Sequence, residues 1–264
     1  MQQVETLAEA HGWRRLDIGA PPFVLAAWRP AGSPADAETG KLLTVYIEGD
    51  GLAWVTRSRL SSDPTPVDPV GLNLALRHPG GQVAYLARPC QFTSPENSAG
   101  CEKKYWTTHR FAPEVIAASN RAVTVLKEMS GASTLQLVGY SGGGAVALLV
   151  AAARDDVSSL VTVAGNLDHA RWTARHSLDP LDGSLNPAAV ASSLAPLPQL
   201  HFVGMTDRVV PAEIAAGFVA GQGPGSCAEV VPVADVDHSH GWVERWPELL
   251  NRPFPCQAAR APHR

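Results

Sequence analysis

Apolar residues fall in short runs of two kinds. Leu42–Ile47 (LLTVYI), Gln82–Ala87, Leu135–Val138, Val157–Ala164, Leu200–Val203 and Glu229–Val233 are brief and rich in Val, Ile and Leu. Near-continuous runs of that length suit strands buried on both faces. Between them lie stretches that read as helices: Val70–Leu76, Ala112–Met129, a segment opening at about Gly142 and running through AVALLVAAA, Pro211–Phe218 and Gly241–Leu250. In Ala112–Met129, Pro113 and Glu114 stand in the first turn, and Val115, Ile116, Ala122, Val123 and Leu126 recur at helical spacing. Strands alternating with helices predict a mostly parallel central sheet with helices on both faces. Trp13–Ile18 and Phe23–Arg29, separated by Gly19-Ala20-Pro21-Pro22, predict an antiparallel N-terminal edge. Pro30–Gly40, 53–69, Arg88–Lys104 and most of Gly165–Pro198 read as loop, with weak periodicity only at Pro187–Leu194. No repeat or linker divides the chain. Residues 1–264 are expected to be one α/β domain, with about 1–12 and 257–264 as loosely ordered tails.

Composition adds limits. The chain has 264 residues, 45% hydrophobic and 17% charged, enough for one substantial core. Its net charge of -4 is spread without like-charge blocks, so no nucleic-acid surface is expected. The longest apolar run, after Gly142, is too short to span a bilayer, and MQQVETLAEAHGW lacks a charged-then-apolar leader, so neither a transmembrane segment nor a signal peptide is expected. Cys90 with Cys101 and Cys227 with Cys256 pair by proximity and predict two disulfides, favouring a periplasmic or secreted setting. Closing the 90–101 loop would contribute about 3 kcal/mol on a chain-entropy basis. The cysteine spacing contains no C-x-x-C, and neither H-E-x-x-H nor a phosphate loop ending in G-K-[ST] occurs, so no metal and no cofactor are expected.

The chemistry centres on Thr134–Leu149, where Gly139-Tyr140-Ser141-Gly142-Gly143 fits G-x-S-x-G between a predicted strand and a predicted helix. A serine at such a junction sits on a sharp turn, and side chains two before and two after it would strike neighbouring backbone. The following helix N-terminus favours an anion. A serine hydroxyl is a weak nucleophile and needs a base and a group to orient that base. In an open α/β sheet these stand beyond strand C-termini. Asp207 follows Leu200–Val203, and His238 and His240 follow Glu229–Val233. His238 is favoured, being closer to the strand end and four residues before Trp242; His240 is the alternative base. Asp168, beyond another strand end, is the alternative acid.

On GYSGG, the Thr206–Pro211 segment (TDRVVP) and the histidine turn, the chain resembles the α/β-hydrolase superfamily from about residue 13 to 250. It resembles more closely a group of small bacterial α/β hydrolases with a Y-I-E-G-D-G segment (Tyr46–Gly51), an R-P-C loop (Arg88–Cys90) and an L-D-x-x-x-W segment (Leu167–Trp172). The resemblance implies the α/β-hydrolase fold, Ser141 as nucleophile, Asp207 as acid and a histidine near 238–240 as base. One oxyanion donor is expected at Gly142 N–H and the second in the loop after Leu42–Ile47, at Asp50, with Gly51 and Leu52 as alternatives. Glu48 and Asp50 suit that position only if turned away or paired, with Arg88 or Arg57 as partner. Trp54, Trp106 and Trp172 are expected to wall the pocket or to pack as core. The reading is a serine hydrolase acting on a small-molecule ester through an acyl-enzyme intermediate. A peptidase, thioesterase or acyltransferase would use the same triad, and a non-catalytic binding protein is the remaining alternative. Oligomeric state is not legible.

Overall fold

The structure, a computed structural model, describes residues 2–32, 41–56 and 58–256. Among the described residues ten strands form: β1 (Trp13–Ala20), β2 (Phe23–Pro30), β3 (Leu42–Ile47), β4 (Trp54–Thr56), β5 (Arg59–Leu60), β6 (Gln82–Leu86), β7 (Thr134–Tyr140), β8 (Val157–Val163), β9 (Gln199–Gly204) and β10 (Ala228–Val233). Eight make one sheet in the order β1-β2-β6-β3-β7-β8-β9-β10. From β6 to β10 all neighbours are parallel, while β2 runs antiparallel to both β1 and β6. The predicted mostly parallel sheet with an antiparallel edge is what forms.

Among the described residues seven helices accompany it: α1 (Gln2–Ala10), α2 (Val70–Leu76), α3 (Pro113–Ser130), α4 (Gly142–Ala151), α5 (His169–His176), α6 (Ala212–Gly221) and α7 (Trp242–Leu249). Side-chain alternation along the strands sorts them onto two faces. Leu43, Val45 and Ile47 of β3 and Leu135 and Leu137 of β7 join a core with α3, α4 and α6. Tyr46, Val138 and Tyr140 point the other way, into a core with α1, α2 and α7 that includes Trp242 and Trp246. Every residue of α4 is buried, because the sheet covers one side and α3 packs on another. The AVALLVAAA run is therefore apolar all round.

Several expectations need correcting. Residues 2–10 are not a loose tail. They form α1, whose Val4 and Ala8, one turn apart, bury into the same cluster as Trp13 and Trp28. The 53–69 loop contains the β4–β5 hairpin, and the 165–198 excursion contains α5 and two short 3-10 turns, Pro187–Val190 and Ser192–Leu194. Most of the expected 30–40 loop, Arg57 and the 257–264 tail lie outside the described residues.

Both cysteine pairs are disulfides. Cys90–Cys101 closes the loop after β6, and Cys227–Cys256 ties the start of β10 to the segment after α7, with Cα–Cα distances of 5.6 and 5.5 Å. Among the described residues no helix is long and apolar enough to cross a membrane. Parallel register brings Ile47 level with Leu86 and Gly139, so the loops leaving β3, β7, β8, β9 and β10 open along one edge.

Candidate active site

Ser141 ends the turn between β7 and α4 with φ +51°, a backbone region that costs a non-glycine residue about 1–3 kcal/mol. The turn is held from both sides. Ser141 N–H donates to Val163 C=O at 2.9 Å, and Ser141 C=O accepts from Gly144 and Asn166 N–H at 3.0 Å each. The flanking glycines are steric necessities. A Cβ on Gly139 would overlap the Gly143 backbone, and one on Gly143 would overlap the carbonyls of Ile47 and Glu48.

Loops from β9 and β10 bring two further groups to the serine. His238 Nε2 lies 3.1 Å from Ser141 Oγ, and His238 Nδ1 lies 2.9 Å from Asp207 Oδ2. The Asp207 side chain is fully buried. Its other oxygen accepts from Val209 and Val210 N–H at 2.7 and 2.9 Å, which fixes the carboxylate plane. The His238 backbone is fixed as well: its carbonyl accepts from Tyr140 OH at 3.1 Å and Trp242 Nε1 at 3.0 Å. With Nδ1 donating to Asp207, His238 Nε2 can take a proton from the serine hydroxyl and return it to a leaving group.

The alternatives stand elsewhere. The His240 side chain is 83% exposed and pairs with Asp237 at 3.1 Å on the surface. Asp237 also accepts from Ser239 and His240 N–H, and those backbone bonds are the first reason its carboxyl sits below its ordinary pKa. Asp168 caps α5, accepting from Arg171 N–H at 3.2 Å and from Asn186 Nδ2 at 2.8 Å. Neither residue joins the Ser141–His238–Asp207 chain.

The loop after β3 faces the serine. Leu52 N–H donates to Pro64 C=O at 3.0 Å, so Leu52 drops out as an oxyanion donor. Gly49 N–H is spent on Glu48 Oε1 at 2.9 Å. The N–H groups of Asp50, Gly51 and Gly142 have no acceptor among the described residues. Both carboxylates of this loop are accounted for. Glu48 turns into the core and accepts from Gly49, Gly71 and Leu72 N–H and from Tyr85 OH; burial raises its pKa, and those four donors oppose the rise. Asp50 bridges Arg88 Nη1 at 3.1 Å and Arg110 Nη1 at 2.7 Å. Burial alone would raise its pKa, but the two guanidiniums outweigh burial and hold it below the ordinary value.

No protein-family model and no curated protein sequence matches the chain. Solved structures do. An esterase from Pyrococcus furiosus superposes with a TM-score of 0.60 at 15% identity, covering 90% of this chain and 89% of its own. Est1E from Butyrivibrio proteoclasticus gives 0.59 at 16%, covering 89% and 95%. An acylaminoacyl peptidase from Pyrococcus horikoshii gives 0.65 at 12%, covering 94% of this chain but 43% of its own. The chain has the α/β-hydrolase fold. At these identities the likeness is one of fold.

Ser141 and His238 line a cleft of about 420 Å³. Its walls carry Trp54 and Trp172, as expected, but not Trp106, which is buried and donates to Ser61 C=O. Arg110 and Asn166 also line it, and sequence reading named neither as a site residue. Arg110 stands in an irregular loop without periodicity, and its only signal was an arginine between two aromatic residues, Trp106 and Phe111. Asn166 immediately follows the strand end that also supplied Asp168, so its position past β8 was the available signal. Among the described residues no group of three or more His, Cys, Asp or Glu side chains is arranged to hold a metal ion.

Proposed function

We propose that the chain is a serine hydrolase that cleaves carboxylic esters through an acyl-enzyme intermediate. The carrying observation is the unbroken hydrogen-bond chain Ser141–His238–Asp207, whose Ser141 and His238 line a cleft. In this reading His238 Nε2 takes the Ser141 proton as Oγ bonds to the carbonyl carbon. The C–O bond to the alcohol then breaks, and His238 returns the proton to the departing alkoxide. Water repeats the sequence on the acyl-enzyme, with His238 again as base. Asp207 keeps the proton on Nδ1 and stabilises the imidazolium. The N–H groups of Gly142 and Asp50, both without an acceptor among the described residues, hold the developing oxyanion, each contributing on the order of 10²–10³ in kcat. Gly51 N–H is the reserve donor.

The two disulfides and the hydrolase-fold esterases among similar structures support an exported enzyme acting on small esters. A fluorophosphonate probe tests the reading. One covalent adduct per chain, abolished by Ser141→Ala and by prior active-site titration, is expected. Absence of a Ser141-dependent adduct from folded protein would leave a binding protein of hydrolase fold instead.

A further inference from the structure

The peptide linking Gly49 to Asp50 stands beside the nucleophile. A Cβ added to Gly49 would come within 3.2 Å of Ser141 Cβ, and one added to Gly142 would overlap the Asp50 carboxylate. A trans peptide is planar, so its C=O and N–H point in opposite directions. Gly49 C=O and Asp50 N–H are the two ends of this one unit. Whatever fixes the carbonyl therefore aims the N–H. Gln91 Nε2 donates to Gly49 C=O at 2.9 Å. Asp50 N–H then faces away from Gln91, and it has no acceptor among the described residues.

Gln91 is itself held. Its side chain is buried, and its Oε1 accepts from Arg88 N–H at 3.1 Å. Only one orientation of the amide serves both partners, because reversing it would set NH2 against N–H and oxygen against oxygen. The backbone on either side is unusual: Cys90 and Phe92 have φ of +70° and +53°. Such conformations cost about 1–3 kcal/mol each and persist only where the surroundings impose them. Here Cys90 is bridged to Cys101, and Phe92 is fully buried with its N–H on Thr65 Oγ1 at 2.7 Å. The strained turn delivers Gln91 to a carbonyl 42 residues earlier.

The other fastenings of this loop act on different groups. Glu48 takes Gly49 N–H, which belongs to the preceding peptide, and Asp50 is fixed through its side chain. Gly49 has no Cβ to restrict its ψ, so the Gly49–Asp50 peptide depends on a hold from outside. Turned over, that peptide would present a carbonyl oxygen where the N–H now points, and repulsion would replace stabilisation of a developing oxyanion.

We propose that Gln91 is a positioning residue for the oxyanion site: by holding Gly49 C=O it aims Asp50 N–H at the acyl oxygen of the substrate. The inference rests on the serine-hydrolase reading and selects Asp50 over Gly51 as the second donor. Gln91 does not line the cleft. Its contribution appears only as charge develops, in kcat and not in KM.

The test is Gln91→Met, which keeps the bulk and loses both side-chain hydrogen bonds. Hydrolysis of p-nitrophenyl butyrate is measured, with rates expressed per Ser141 labelled when fluorophosphonate reaction is complete. A fall in kcat of about tenfold to a hundredfold, with KM within about threefold of wild type, is expected. The inhibitor 1,1,1-trifluoroheptan-2-one acquires an oxyanion when Ser141 Oγ adds to its carbonyl and His238 takes the proton, so its Ki should rise by a similar factor. Gln91→Glu adds a signature that packing alone does not give. As a neutral acid the new side chain can still donate to Gly49 C=O; as a carboxylate it repels that oxygen and attracts the Asp50 N–H. Its kcat relative to wild type should fall between about pH 6 and about pH 9. Glu48, Asp50, Arg88 and Arg110 are common to both enzymes, so the ratio isolates the new carboxyl. Wild-type kcat and Ki in Gln91→Met, from protein that labels at Ser141, overturn the inference and leave the hydrolase reading intact. A deficit that vanishes once rates are taken per labelled serine does the same, because the glutamine then serves folding alone. Should Gln91→Met not fold, Gln91→Glu decides: a kcat ratio that stays at the wild-type level across the pH range overturns the inference. Failure of the wild-type enzyme to label at Ser141 overturns both readings.

Discussion

Asp207 divides two tasks between its oxygens, and Asp207→Asn separates them. Oδ1 accepts from Val209 and Val210 N–H, at 2.7 and 2.9 Å, and shapes the turn after β9. Oδ2 meets His238 Nδ1 at 2.9 Å. In Asp207→Asn the amide oxygen can keep both backbone bonds while the amide nitrogen faces Nδ1 as a donor. Nδ1 must then accept, the imidazole proton moves to Nε2, and Nε2, 3.1 Å from Ser141 Oγ, offers a proton where it should take one. The base is lost with the fold intact. A tautomer reversal of this kind costs on the order of 10⁴ in kcat, about 5 kcal/mol of barrier. Asp207→Ala should lose comparable activity and also strand the two N–H groups, lowering stability by a further ~1–3 kcal/mol. Steady-state ester hydrolysis gives the first quantity and urea unfolding the second. An Asp207→Asn enzyme with kcat within about tenfold of wild type would refute the role given to Asp207. Asp168→Asn is the control: wild-type kcat, with at most about 1 kcal/mol lost at the α5 cap.

Asp50→Asn removes the carboxylate that bridges Arg88 and Arg110, whose side chains are 4% and 9% exposed, and should destabilise by about 3–5 kcal/mol in urea; a loss under about 1 kcal/mol would mean the cluster is solvated. Gly143→Ala drives a Cβ into the Ile47 and Glu48 carbonyls, and backbone cannot yield cheaply, so a loss of about 3 kcal/mol or failure to accumulate folded protein is expected by circular dichroism. His201 is fully buried, and desolvation lowers its pKa to about 3. Its folded pKa is depressed below the unfolded one, so the unfolded state takes up the proton first. Stability is then full above about pH 6.5 and falls on acidification towards pH 3, by up to about 1.4 kcal/mol per pH unit. Unfolding free energies measured across that window should show a shallower slope in His201→Asn; an unchanged slope would assign the acid sensitivity to other groups.

The parts of the site that were legible in sequence are those tied to regular elements. β7 and α4 announce themselves because a buried strand and an all-apolar helix leave little else for LQLV and AVALLVAAA to be, and the serine between them follows. Asp207 and His238 were found as residues past strand ends, a consequence of parallel topology. Helix α1 was not legible because Val4 and Ala8 are a thin apolar face, and docking beside β1 rather than propensity makes it helical. Helix α5 did carry a signal, Asp168 as N-cap, but HARWTARH is too polar to show a period, and the cap was weighed as a catalytic acid instead. Arg110 is placed by a long-range contact with Asp50, sixty residues earlier, and no local pattern encodes such a contact.

The two carboxylates beside the proposed oxyanion site look, in sequence, like an error of charge. In three dimensions they fix the loop that carries the donor. Glu48 pins the loop's first residue to α2 and Tyr85. Asp50 pins the next turn to Arg88 and Arg110, and Gln91 Nε2 holds Gly49 C=O at 2.9 Å. Arg88, Gln91 and Arg110 all belong to the chain between β6 and α3, which the Cys90–Cys101 bridge constrains. With its side chains spent inward, the loop leaves the Asp50 and Gly51 N–H groups unpaired beside Ser141. Donors fixed before the reaction starts need no reorganisation when charge appears on the acyl oxygen, which is the condition under which an oxyanion site contributes most.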